Sequence, residues 1–539
     1  MISTLLLAAT SMSWAAPDEL DFELEGYYRT RAYSFHNLYQ NQDGPGKYLT
    51  QRLRLQPVFK LQERAKFAFM VDALDDVVWG DNQSLASTAL FAGDPSVTNM
   101  QGQRQDPSFM VKRAWIEMDV ILGKMRVGRQ PSHWGMGLLA NNGDGFDDYF
   151  GENHSGANFD RILFATKPIA LYQKIVQGKE PDNIPFFVGY AYDRLVEDPL
   201  VQYYGYKCEP DISIDDEAFN SACDPDGKGK HTLDHGYTDD GFQQENRQRD
   251  WAFDNADDVT EHVYLAIYRG ENVNIAGSAS DLTVGLYAIN RTQQETKSNV
   301  WIIDGYFKLH WKGLYLETEA LNISGTSSAI ALPGAYDPEN TSADPLYKNV
   351  NIWGYSARAG YKKHNWSFIV ETGYASGDNN VADDEFTGRP LHPDFNVGLL
   401  LYDEILAAAS AAAWGDGASA LWSGGGVYNS RYIYPVFFYE FWQGWSFTAA
   451  YVQAWPDRPD GAIVQCNKSD DVSCELYESN VNEIGWEVDF ALKAKFHNYL
   501  LLSVEGGYAQ VSDRIKLANA GLNPDGKFFT IQSRLAYEF

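Results

Sequence analysis

The residues best suited to chemistry in this chain are arginines spaced two apart. Arg29 and Arg31 share one phase of an early run, and Arg52 and Arg54 alternate with Leu53 and Leu55 in the next. On an extended backbone, residues two apart point to the same side, so each pair offers two guanidiniums to one surface. Such a ladder can hand a carboxylate or phosphate along through paired hydrogen bonds. Arg113 shares its phase with Glu117 and Asp119, and Arg534 lies on the same phase of the final run. Acids occupy corresponding phases elsewhere, at Glu317, Glu319, Glu371, Glu483, Glu487 and Asp489. Opposed basic and acidic walls would set the ion preference of a pore. The plainer reading is that they pair with one another and only solvate an interior.

A second dense stretch runs from Arg126 to Arg161. Its Asp144, Asp147, Asp148 and Glu152 offer hard oxygens that could hold Ca²⁺, although their spacing is not that of an EF-hand. Solvated loop acids are the simpler expectation, and no metal is assigned. His133 and Trp134 beside Gly135 read as loop braces. No nucleophile-elbow, zinc-protease or phosphate-loop motif is present, and the ten His are scattered. No reaction and no cofactor are expected.

The elements that must position these side chains are strands. In 526–539, Phe529, Ile531, Ser533, Leu535, Tyr537 and Phe539 fall on one face, with Thr530, Gln532, Arg534 and Glu538 on the other. In 481–496, Ile484, Trp486, Val488, Phe490 and Leu492 oppose Glu483, Glu487, Asp489, Lys493 and Lys495. About 18 such period-2 runs can be placed, near 21–36, 47–61, 65–80, 108–122, 124–132, 158–167, 184–194, 259–270 and 281–292. The rest fall near 299–311, 313–323, 348–363, 365–378, 430–442, 444–456, 481–496, 498–513 and 526–539. Tight joints alternate with long connections near 81–107, 133–157, 195–258, 324–347, 379–429 and 457–480. That is the pattern of an antiparallel transmembrane β-barrel, with short periplasmic turns and long external loops. Two short-side connections, 168–183 and 271–280, are longer than the pattern asks, and 169–177 reads as a small helix. Tyr402 to Trp414 is Ala-rich and helical by propensity. It is expected either to fold into the mouth or to lie on neighbouring loops.

Composition agrees. Aromatics reach 14% (33 Tyr, 29 Phe, 15 Trp) in a chain of mean hydropathy −0.38, which suits an apolar exterior, aromatic rims and a polar interior. The net charge of −30, from 73 acids and 43 bases over 539 residues, argues against a nucleic-acid partner. No run approaches 18 apolar residues. Residues 1–15 read as a signal peptide cleaved after Ala15, although no basic residue precedes the apolar core. Residues 16–539 then form a single domain. After export, the local pairs Cys208–Cys223 and Cys466–Cys474 are most simply disulfides.

The segments EGYYRTRAYSFHNLYQ, KYLTQRLRLQPVF, RVGRQPSHWGMGLLANNG and FDRILFAT resemble a family of uncharacterised Gram-negative outer-membrane barrels of myxobacteria and predatory bacteria. More distantly, through Arg52-x-Arg54 and Val127 to Gln130, the chain is similar to alginate-export porins. That resemblance implies an 18-stranded barrel with an arginine-lined conduit, and Arg29, Arg31, Arg52, Arg54, Arg126 and Arg129 as its lumen contacts. The strand ending in Phe539 resembles the signal read by the barrel-insertion machinery.

The expected protein is therefore a monomeric outer-membrane channel in contact with lipid and lipopolysaccharide, passing hydrophilic solutes, anionic ones or polymers included. The alternatives are an adhesive barrel with a plugged lumen and a barrel hydrolase.

Overall fold

A computed structural model describes the chain apart from residues 1–19, 41–43, 63, 80–108, 147–148, 154–155, 181, 183, 196–236, 239–240, 243–258, 295–296, 329–347, 380–383, 415–422, 460–462, 466–472, 476–480 and 498. The signal peptide, the cysteine pairings, Asp147 and Asp148 lie outside the described residues or depend on residues that do.

Eighteen strands form the wall: β1 Leu20–His36, β2 Gly46–Leu61, β3 Ala65–Val78, β4 Phe109–Val120, β5 Gly123–Pro131 and β6 Asn158–Thr166. They continue as β7 Phe186–Leu195, β8 Val259–Ile275, β9 Ser278–Gln293, β10 Ser298–Trp311, β11 Leu314–Ser327 and β12 Lys348–Lys362. The last six are β13 Trp366–Ala375, β14 Ser430–Trp442, β15 Trp445–Pro456, β16 Gly485–Phe496, β17 Leu500–Val511 and β18 Lys527–Glu538. Each pairs antiparallel with its sequence neighbours, and β18 pairs back onto β1 from Tyr27↔Glu538 to His36↔Phe529. Closure leaves no open edge, so every ladder amide finds a partner.

The wall is apolar outside and carries its charge inside. Along β18, Phe529, Ile531, Leu535 and Tyr537 are 38–49% exposed, whereas Gln532 and Arg534 are 3% and 2% exposed. A soluble sheet would bury the first set. Here that set forms the lipid-facing belt, as in the outer-membrane type of barrel. No described helix is long and apolar enough to cross a membrane.

Both departures from the turn pattern resolve. The 168–183 connection contains the expected helix, α1 Pro168–Ile175. The 271–280 connection is a two-residue turn, because β8 runs through a bulge after Gly270 as far as Ile275. Ala276 and Gly277 both have positive φ, 48° and 76°, the geometry that matches hairpin twist.

The interior departs from a purely polar lumen. At the long-loop end, the inward phase carries Ile302, Leu321, Ile323, Ile352 and Val452, and these form one core with two loops folded inside the barrel. The first loop, 132–157, contributes Trp134, Leu138 and Phe150. The second, 376–429, contributes Phe395, Leu399, Leu400, Leu401 and Ile405. The Tyr402–Trp414 segment is indeed helical: a π-helical turn, Leu401–Leu406, continues into α2, Ala407–Trp414. Its buried Leu401, Tyr402, Ile405 and Leu406 place it in the mouth.

The belt predicts a specific cost. Ile531→Arg, near the middle of β18 on the lipid side, is expected to destabilise the refolded barrel by about 2–4 kcal/mol, read as a lower urea midpoint in lipid vesicles.

Candidate functional site: the barrel lumen

The arginine ladder forms as the spacing predicts, and β-pairing brings Arg29 opposite Arg52 and Arg31 opposite Arg534. It does not line open water. The first inward loop lays Glu152 across it. The Arg29 Nε donates to Glu152 at 2.5 Å, and Arg31, Arg52 and Arg534 each approach the same carboxylate at 3.4 Å. Glu505 on β17 adds a second carboxylate, 3.8 Å from Arg31 and 3.7 Å from Arg534. Arg52 also holds Asp75. Arg54 grips Asp72 through a two-pronged contact of 2.7 and 2.8 Å, and Arg113 binds Asp144 at 2.7 Å. Burial alone would push the Glu152 carboxyl up, but the surrounding guanidiniums, Arg29 foremost, hold it down at about 2.

The acids on the opposite wall anchor the loops. Glu319 on β11 accepts from three consecutive loop amides, Met136, Gly137 (3.1 Å) and Leu138 (3.2 Å). Glu487 on β16 does the same for Leu399 (2.7 Å), Leu400 (2.8 Å) and Leu401 (2.7 Å). In both loops a glycine of positive φ sits just before the clamped amides, Gly135 at 57° and Gly398 at 82°. A Cβ there would stand 2.3 Å from Glu319 and 2.9 Å from Glu487. Each position thus needs glycine for its backbone conformation and for the close approach of the carboxylate. Asp304 supports the first clamp by accepting the Trp134 indole N–H at 3.1 Å. Asp489 lies buried beside Glu487, with no ion pair among the described residues.

Glu317 and Glu371 share Arg358 on β12, at 3.6 and 2.5 Å. Tyr306 and Tyr315 donate their hydroxyls to Glu317, and Tyr432 donates to Glu371. Arg126 faces inward and pairs with Glu117.

Three expectations change. Glu483 does not share the inward phase of Glu487: it lies exposed just before β16 and accepts from the Gln453 side-chain amide at 2.7 Å, while its neighbour Ile484 enters the core. Arg129 is not a lumen contact. It lies three residues from Arg126, on the opposite face, where it makes a two-pronged contact with Asp160 at 2.9 Å, next to the outward Ile162. Asp144 and Glu152 are not poised for Ca²⁺, because both are held by guanidiniums. Among the described residues no group of three or more His, Cys, Asp or Glu could hold a metal. The parity reading did not pick out Asp72, Glu505 or Arg358, and it gave Glu152 to a loop surface. Asp72, Glu505 and Arg358 share their strands' inward phases, so alternation carried their orientation. Nothing local carried their partners.

No family model and no curated protein matches the chain. The solved structures it is similar to include three Pseudomonas aeruginosa proteins. OccK11 (OpdR) is 9% identical over 96% of both chains, with a TM-score of 0.45. OpdK, solved with vanillate, is 8% identical over 96% of this chain and 98% of that one, with a TM-score of 0.47. OccK2 (OpdF), in complex with glucuronate, is 10% identical over 96% and 98%, with a TM-score of 0.43. At such identities and scores the likeness assigns no solute and no residue role.

Two outcomes follow from the anchors. Glu152→Gln leaves several guanidiniums short of counter-charge and should cost roughly 3–5 kcal/mol. A carboxyl depressed to about 2 when folded, against about 4.3 when free, contributes fully above about pH 4.3, and the contribution is lost as the pH falls towards 2. The wild-type urea midpoint should therefore drop across that window more than the midpoint of the Gln variant. Separately, Glu487→Ala should raise hydrogen exchange of the Leu399–Leu401 amides by roughly tenfold or more, the equivalent of about 1–3 kcal/mol of lost pairing, and leave Gly137 and Leu138 unchanged.

Proposed function

We propose that this chain is a porin-like channel of the outer membrane, passing small hydrophilic solutes, anions included, through a lumen narrowed by its two inward loops. It catalyses no reaction in this reading. The observation that carries it is how inward charge divides between water and protein. Three of the inward acids of the β4 and β11–β13 wall are covered, Glu117, Glu317 and Glu371 side chains being 10%, 6% and 2% exposed, whereas Asp119, at 47%, lies 3.3 Å from Lys124. Their cationic partners reach water: Lys124 is 61% exposed, Lys308 41% and Arg126 39%. These three cations outnumber the one exposed acid, so the solvent-reached surface there is net basic although the chain as a whole is acidic, and such a surface favours anions. An 18-stranded wall is wide enough to leave an aqueous path.

A second reading, a plugged barrel that contacts partners through its loops, is favoured by the burial of the ladder. Arg29, Arg52, Arg54 and Arg534 are no more than 2% exposed and are held by protein carboxylates. The same burial weighs against the finer likeness to alginate exporters, whose conduit needs its arginines open to the polymer.

Single-channel recording in a planar bilayer separates the two. Steady conductance is expected, with a reversal potential under a salt gradient showing anion preference. The double variant Arg126→Glu with Lys308→Glu should shift that potential towards cations. A folded barrel without conductance would establish the plugged reading.

A further inference from the structure

Each ladder arginine, together with Arg113, Arg126, Arg291 and Arg358, is matched to a carboxylate. Arg389, on the second inward loop, is different. Among the described residues its guanidinium makes no hydrogen bond and no ion pair. The charges that act on it are Arg291 on β9 and Glu261 on β8, and these are already joined to each other at 2.5 Å. Glu261 is therefore already engaged, and Arg389 has no carboxylate of its own among the described residues, in a partly buried place. Burial and the like charge of Arg291 push Arg389 down to about 10, against the pull of Glu261. A guanidinium taken out of bulk water without a counter-charge is costly, and an anion relieves that cost.

The surroundings narrow the kind of anion. Arg389 and His392 line one cavity of about 110 Å³ between the two inward loops and the β11–β12 wall. The loops are tied at this point, where the His392 amide donates to the Leu138 carbonyl at 2.7 Å. The His392 Nδ1 accepts the Asp394 amide at 3.1 Å, so the neutral ring carries its hydrogen on Nε2 and is a donor there. The remaining lining is apolar, with Leu138, Leu139, Leu321, Ile323, Ile352 and Pro390. An apolar pocket with a cationic and a polar residue in its lining fixes an amphiphilic ligand by its polar end. A strongly hydrated dianion would lose its water against these walls without replacement.

We infer that this cavity is a subsite for a small organic carboxylate with a short apolar body, its carboxylate on the Arg389 fork and the His392 Nε2–H, its body against the aliphatic wall. The inference rests on the channel reading for its role in transport, but not for the binding itself.

Calorimetric titration of the refolded, detergent-solubilised protein with benzoate tests it, with benzyl alcohol as the neutral isostere and sulfate as the hydrated dianion. Benzoate should bind the wild type. Arg389→Gln should weaken it by roughly tenfold or more, since a charge-assisted pair is lost, and Arg389→Lys should fall between. Benzyl alcohol and sulfate should bind no better than they do to Arg389→Gln. Heat-modifiable gel mobility confirms that each variant is folded; if Arg389→Gln is not, Arg389→Lys and His392→Ala carry the comparison. Equal benzoate affinity across folded variants, or benzyl alcohol binding as well as benzoate, overturns the subsite. Conductance on the same samples keeps the two ideas apart. Anion-selective current with benzoate binding indifferent to residue 389 sinks the subsite alone. Arg389-dependent binding in a barrel without current sinks the channel and leaves the subsite standing.

Discussion

The Glu152 carboxylate sits among guanidiniums drawn from both sides of the seam that closes the barrel: Arg29 and Arg31 on the first strand, Arg52 on the second and Arg534 on the last. None of these could be withdrawn from water alone, since an unpaired buried charge costs several kcal/mol. The loop and the ladder are thus conditions for each other. The loop can enter the lumen because a basic wall awaits its acid, and the wall can be covered because the loop brings one. The same interaction ties the closure of the barrel to the filling of its interior.

Apolar packing then decides how far the loops reach. Trp134 stacks on Tyr287 with ring centres 5.0 Å apart, and Leu399 to Leu401 meet wall residues such as Val452 in the common core. A polar phase over the whole strand length would have left the loops outside. The apolar inward residues near the long-loop end make the interior behave there like a soluble protein core, below a membrane-type exterior.

The fold was legible because it rests on local rules. Period-2 alternation marks each strand, and the order of short and long joints marks the barrel. The 271–280 connection misled only because a bulge interrupts the alternation of β8, so the strand seemed to end early. The orientation of the ladder arginines, Glu319 and Glu487 was legible for the same reason. Arg129 was not, because likeness placed it where parity would have turned it outward. What each inward charge meets was not legible at all. Glu152 is about 120 residues from Arg29, and Glu487 about 88 from Leu399. Contacts at such separations follow from how loops re-enter, which no strand pattern encodes.

The clamps show where a local trace did exist. Glu319 and Glu487 bind backbone amides, so they constrain no loop side chain except the glycine before the clamped residues. Gly135 precedes Met-Gly-Leu and Gly398 precedes Leu-Leu-Leu, with little else in common. A carboxylate gripping three successive N–H groups recognises a backbone shape, a small anion nest, and not a sequence. The clamps therefore fix the loop backbone, and the loop side chains are chosen by the core and the ladder they meet. Arg389, on the second of these loops, is carried by that backbone without a carboxylate partner of its own among the described residues. The buried wall acids and the water-exposed cations thus fall on different residues: Glu319 and Glu487 hold the loops, while Lys124, Lys308 and Arg126 keep their charge at the solvent.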